Sequence, residues 1–131
     1  MRSKKTILSA FFLFLVFLFS ACEQAHITPP LTFQMRSSAI RGGVVQITNR
    51  AAEHLECKIF AINKERSERS KIFRCVIKSG EMQEIGFREL DGWYIDPGEK
   101  VVISVVGYAA DMQVIFNNDG TYTYGPYSDS D

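Results

Sequence analysis

The chain has 131 residues with fifteen basic and fifteen acidic side chains, and 46% of it is hydrophobic. The first twenty-one residues hold five of the ten phenylalanines; without them 110 residues remain, with twelve basic groups against fifteen acids, a net charge of about −3. That length holds one core and not two. No block of basic charge is left that would suggest nucleic acid or an anionic membrane surface as a partner.

Arg2, Lys4 and Lys5 form a basic start. Ile7 to Phe19 is an apolar run broken only by Ser9, and the small residues Ser20 and Ala21 follow. These are the three parts of a secretory signal. The competing reading is a transmembrane helix. Crossing about 30 Å of hydrocarbon takes about 20 apolar residues, whereas Ile7 to Ala21 is fifteen and no basic stop-transfer cluster follows. The exit, Leu18-Phe19-Ser20-Ala21-Cys22, resembles the bacterial lipobox, with Phe19 where that family usually has Leu. The resemblance implies that Cys22 is lipidated on its thiol and becomes the mature N-terminus. It also implies an anchor of two or three acyl chains, which matters because a single chain binds a membrane only marginally. Glu23 stands where an Asp is associated with inner-membrane retention in enteric-type bacteria, so the resemblance favours the outer membrane, facing the periplasm. The alternative is an ordinary signal with an incidental Cys near its cut site.

Glu23 to Pro30 is short, polar and ends in two prolines, which stiffen a chain. It reads as a tether. Leu31 to Arg36 alternates apolar and polar residues with period two, the pattern of a half-buried strand. Ser37 to Gly43 reads as a loop, Val44 to Thr48 as a strand, and Asn49 to Ala52 as a turn. Leu55 to Ile62 fits two patterns. As a strand it turns Leu55, Cys57, Ile59 and Ala61 one way; as a helix it makes a stripe of Ala51, Ala52, Leu55, Ile59 and Ile62. The lack of a good capping residue and the strand-like neighbours favour the strand. Lys64 to Lys71 is a mixed-charge hairpin tip or, functionally, a docking loop.

Ile72 to Ile77 reads as a strand with Phe73, Cys75 and Ile77 inward, and Ser79-Gly80 as a turn. Gln83 to Phe87 is a short strand, and Gly92 to Ile95 leads into Asp96-Pro97-Gly98. Pro presets φ for the second place of a turn and Gly accepts positive φ at the third. Lys100 to Val106 has apolar residues on both faces and is expected to be a central strand covered on both sides. Met112 to Phe116 and Thr121 to Tyr124 flank Asn117-Asn118-Asp119-Gly120, a hairpin signal.

Seven to eight short strands at regular spacing predict an all-β, antiparallel sandwich or small barrel, and the length suits the sandwich. The run from Gln46-Ile47-Thr48-Asn49 through Glu84-Ile85-Gly86, Asp96-Pro97-Gly98 and Gly107-Tyr108 resembles the immunoglobulin-like domains of bacterial envelope lipoproteins. It lacks the antibody hallmark of a Trp between the two cysteines. The expected division is a signal over 1–21, a lipidated Cys and tether over 22–30, the sandwich over 31–124 and a flexible acidic tail over 125–131.

A hairpin centred near Arg66 places Cys57 and Cys75 directly opposite each other, a geometry that suits a disulfide. The other reading is two free thiols acting as small core residues. No motif for catalysis, metal or a cofactor is present: His54 is a lone His beside Glu53 and Glu56, and no His/Cys spacing supports a metal site. The expected role is a non-catalytic, lipid-anchored interaction module bound to another envelope protein. The alternatives are an inhibitor or immunity lipoprotein, and a carbohydrate- or peptidoglycan-binding module. Because Tyr and Trp carry much interface energy, the candidate binding surface is Trp93, Tyr94, Tyr122 and Tyr124. Core or corner packing competes for Trp93 and Tyr108.

Overall fold

A computed structural model describes residues 27–38 and 42–129. The signal, Cys22 and the start of the tether lie outside the described residues, as do the last two residues of the tail. The strands are β1 (Leu31–Ser38), β2 (Gly42–Asn49), β3 (Leu55–Asn63), β4 (Glu68–Arg69), β5 (Phe73–Ile77), β6 (Met82–Ile85), β7 (Lys100–Val105), β8 (Met112–Phe116) and β9 (Tyr122–Pro126). All pairings are antiparallel. One sheet has the order β1-β2-β6; the other has β4-β3-β7-β8-β9, with β5 also on β3.

The fold is therefore an all-β sandwich. Its order places A-B-E opposite C′-C-F-G of an immunoglobulin-type sandwich, with β9 added outside G. Among the described residues nine strands form, where seven or eight were expected. The return arm of the β3 hairpin is broken in two at Ser70–Ile72, giving β4 and β5 on the same edge of β3.

Period-two alternation decides what each strand buries. β2 alternates half-buried and buried residues, with Val45 and Ile47 inward. In β3, Leu55, Cys57, Ile59 and Ala61 are buried, which resolves the ambiguous segment as a strand. Its two edges pair with β5 and β7, a demand that a helix cannot meet. Inward residues of both sheets join in one core that includes Phe33, Ile47, Ile59, Ile85, Ile103 and Val114. β7 is central, between β3 and β8, and buries Val102 as well as Val101, Ile103 and Val105. Val106 was expected to share that cover and does not: it lies one residue past the strand and is 63% exposed.

Several boundaries differ from those predicted. β1 and β2 run further toward each other than expected, and Gly42 and Gly43 belong to β2. Gly43 donates to the Ile95 carbonyl at 2.8 Å, and a Cβ there would collide with the Met35 methyl. That methyl is the flexible end of a side chain and can move aside, so the position that needs glycine is Gly42, where φ is 74° and a Cβ would lie 3.0 Å from the Ile95 carbonyl oxygen. Residues 27–30 dock on the domain: Ala110 N–H donates to Ile27 O and Arg50 N–H to Pro30 O. At the other end β9 runs to Pro126, and Tyr127 N–H donates to Asp111 O at 2.8 Å. The buried Lys100 ammonium donates to Ser128 O at 2.8 Å and lies 4.6 Å from the Tyr127 ring. Residues 125–129, expected as a free tail, thus lie against the larger sheet, because a buried ammonium needs acceptors.

Candidate functional site

The two sheets differ in width, and the difference creates a groove. Tyr122 and Tyr124 pair with Phe116 and Val114 of β8, and facing residues of an antiparallel pair share a face. Both tyrosines are therefore on the core-facing side of β9. The smaller sheet has only three strands. At β9 its cover is β1, whose Phe33 lies 5.4 Å from the Tyr124 ring. Tyr122 is half-buried and packs on the core, while Tyr124 is 55% exposed.

Beside these rings lies the outer face of the smaller sheet. Register places Thr32 against Thr48 and Gln34 against Gln46, with Met82 next to Thr48. Arg50 donates to the Thr32 hydroxyl at 3.2 Å. Together these residues line a groove of about 580 Å³ between the two tyrosines and the sheet face. Its polar groups are hydroxyls, carboxamides and one guanidinium, and no carboxylate lines it. Glu84, on the same sheet, is held instead by Arg36 at 2.7 Å.

The other two residues of the predicted surface lie outside this groove. Trp93 is half-buried against the core, and its indole N–H donates to Glu99 at 2.9 Å. The Arg66 guanidinium lies 5.5 Å from its ring. Tyr94 is exposed and stacks on Phe87, with centroids 4.5 Å apart. Two of the four aromatics therefore share a site, and Trp93 serves a buried polar network.

That network escaped the sequence reading. The Glu99 carboxylate is 1% exposed. It accepts from Asn63 Nδ2 at 2.7 Å, Trp93 Nε1 at 2.9 Å, Asp96 N–H at 3.1 Å and Arg66 Nη2 at 3.3 Å. Buried Asn49 does similar work at the opposite end of the fold. Its amide donates to Glu53 O and Ile77 O, both at 2.8 Å, and its carbonyl accepts from Ala51 N–H at 2.7 Å. Parity was the available signal for Glu99, which stands two residues before Val101 and so begins the inward row of β7.

Cys57 and Cys75 face each other in register, as predicted. Cys57 is buried and Cys75 half-buried, and both carry free thiols. The Cys57 thiol donates to the Leu55 carbonyl at 3.8 Å. The neighbouring Cys75 thiol, together with burial, pushes Cys57 up, while Cys57, acting against burial, holds Cys75 below the usual thiol range. His54 is exposed. Among the described residues no group of three His, Cys, Asp or Glu side chains could hold a metal ion, and no helix is long and apolar enough to cross a membrane.

Comparison of the chain with protein-family models, curated proteins and solved structures found no match.

Proposed function

We propose that the protein is a lipid-anchored, non-catalytic binding module of the bacterial cell envelope, held at the outer membrane through Cys22. Its tyrosine-walled groove receives an extended segment of another envelope protein. The basic, apolar and small-residue series ending in Cys22 supports the anchor. The observation that carries the binding role is the groove of Tyr122, Tyr124, Gln34 and Gln46. Carboxamides and hydroxyls match the donors and acceptors of a peptide backbone, and tyrosines add rigid contact area at low entropic cost.

The lack of acid in the groove favours a second reading, a neutral glycan stacked on the tyrosines. An in-cell crosslink of the tagged, lipidated protein separates the two. One protein captured in near-equal amount, and lost with Tyr124→Ala plus Gln46→Ala, supports the first. Capture of wall fragments alone supports the second. Capture of the same protein at full strength by the double variant places the site elsewhere. Tyr122 packs on the core, so it is left intact. Release of Cys22→Ala from membranes tests the anchor; continued membrane retention would overturn it.

A further inference from the structure

We propose that Cys57 and Cys75 form a disulfide within the larger sheet, tying edge strand β5 to central strand β3. The two residues are direct register partners. Facing residues in an antiparallel pair have Cα atoms about 4.5–5.5 Å apart, inside the 4.4–6.8 Å that a disulfide spans. Their side chains leave the sheet on the same side, and both cysteines line one groove at the edge of the sheet. Closure therefore needs only side-chain rotation. The bond differs in kind from that of antibody domains, which joins the two sheets.

The surroundings set the order of events. Cys57 is 2% exposed and packs in the core. Cys75 is reached from an open apolar groove of about 400 Å³ whose walls include exposed Val76 and Val106, with Lys58 and Arg74 alongside. An attacking thiol must be ionised and accessible, which selects Cys75. With a disulfide oxidant such as glutathione disulfide, the Cys75 thiolate attacks one glutathione sulfur and expels a glutathione thiolate. Cys57 then loses its proton and attacks Cys75 Sγ, expelling the second glutathione. Two protein thiols are oxidised and one glutathione disulfide is reduced to two glutathione thiols.

The test uses the purified full chain carrying Cys22→Ala, so only the two thiols remain and the outcome is independent of where the protein resides. The chain is treated with glutathione disulfide under native conditions and in urea, capped with N-ethylmaleimide and digested with trypsin without reductant. The expected product is peptide 51–58 (AAEHLECK) joined to peptide 75–78 (CVIK), two hydrogens lighter than their sum. It should form from the single-glutathione adduct at least about tenfold faster in the native chain than in urea, as prepositioned partners require. Cys57→Ser should trap glutathione on Cys75, and Cys75→Ser should take up none. Both peptides capped with maleimide in the native chain, or equal closure rates in the two conditions, would overturn the proposal.

Discussion

Glu99→Ala is the substitution that most directly tests how the two ends of the 90s turn are held. The wild-type carboxylate accepts four hydrogen bonds, from β3, from the hairpin tip and from the turn itself. Hydrogen bonds to a charged group contribute about 1.5–3 kcal/mol each, and a donor left unpaired in the interior costs about 1–3 kcal/mol. Arg66 is half-exposed and rehydrates when freed, so its bond counts for little. The indole N–H, the Asn63 amide and the Asp96 N–H are part-buried and regain water only in part. The expected loss is about 3–5 kcal/mol, the sum for three part-buried donors that each lose a charged acceptor and regain water only in part. This is a large share of the 5–15 kcal/mol typical of a domain. Guanidinium unfolding followed by fluorescence suits the question, because Trp93 is the only tryptophan and bonds Glu99 directly. The midpoint should fall while the denaturant slope stays constant. Glu99→Gln should lose less, since it keeps the shape and one acceptor. Lys71→Ala, which removes an exposed pair with Asp91, should leave the midpoint in place. A loss under about 1 kcal/mol for Glu99→Ala would refute the reasoning.

Asn49→Asp replaces an amide that donates to two carbonyls with a buried carboxylate facing them. It should cost about 3–5 kcal/mol at neutral pH, read as a drop in denaturant midpoint. If the disulfide forms, the seventeen residues between its ends correspond to about 3 kcal/mol of stabilisation. Unfolding with and without dithiothreitol measures it, and identical midpoints in oxidised and reduced protein would show no gain. Asp119 accepts from the Thr121 hydroxyl and N–H, which holds its pKa below the ordinary carboxylate value. A carboxyl depressed in the fold stabilises it above the unfolded pKa and loses that contribution as pH falls through the folded one. The β8–β9 turn should therefore loosen only below the usual carboxylate range. Amide exchange at Thr121, followed as pH falls and corrected for intrinsic rates, should show lost protection there and not near neutrality.

Strand positions and their inward faces were legible in the sequence, because alternation is a local property. Leu31, Phe33, Val45, Ile47, Leu55 and Ile59 all fall on the core side as their spacing requires. The hairpin register was legible too. Once its centre is placed at Arg66, Cys57 and Cys75 must face each other, and they do. Strand ends were less legible. Gly42 and Gly43 carry loop chemistry, yet Gly43 is held in β2 by Ile95, a residue distant in sequence.

The amino-acid sequence by itself determined the period-two core, the turns at Asp96-Pro97-Gly98 and Asn117–Gly120, and the facing cysteines. Each depends on residues close together in the chain. Tertiary structure alone decided that Lys100 and Asn49 are buried, since their partners come from the tail and β5, and it brought Asn63 of β3 to Glu99. It also separated Trp93 from Tyr124. Whether an aromatic on an inward face packs in the core or walls a groove depends on how far the opposite sheet extends. Here the smaller sheet stops at β1, and the tyrosines of β9 meet solvent beside it.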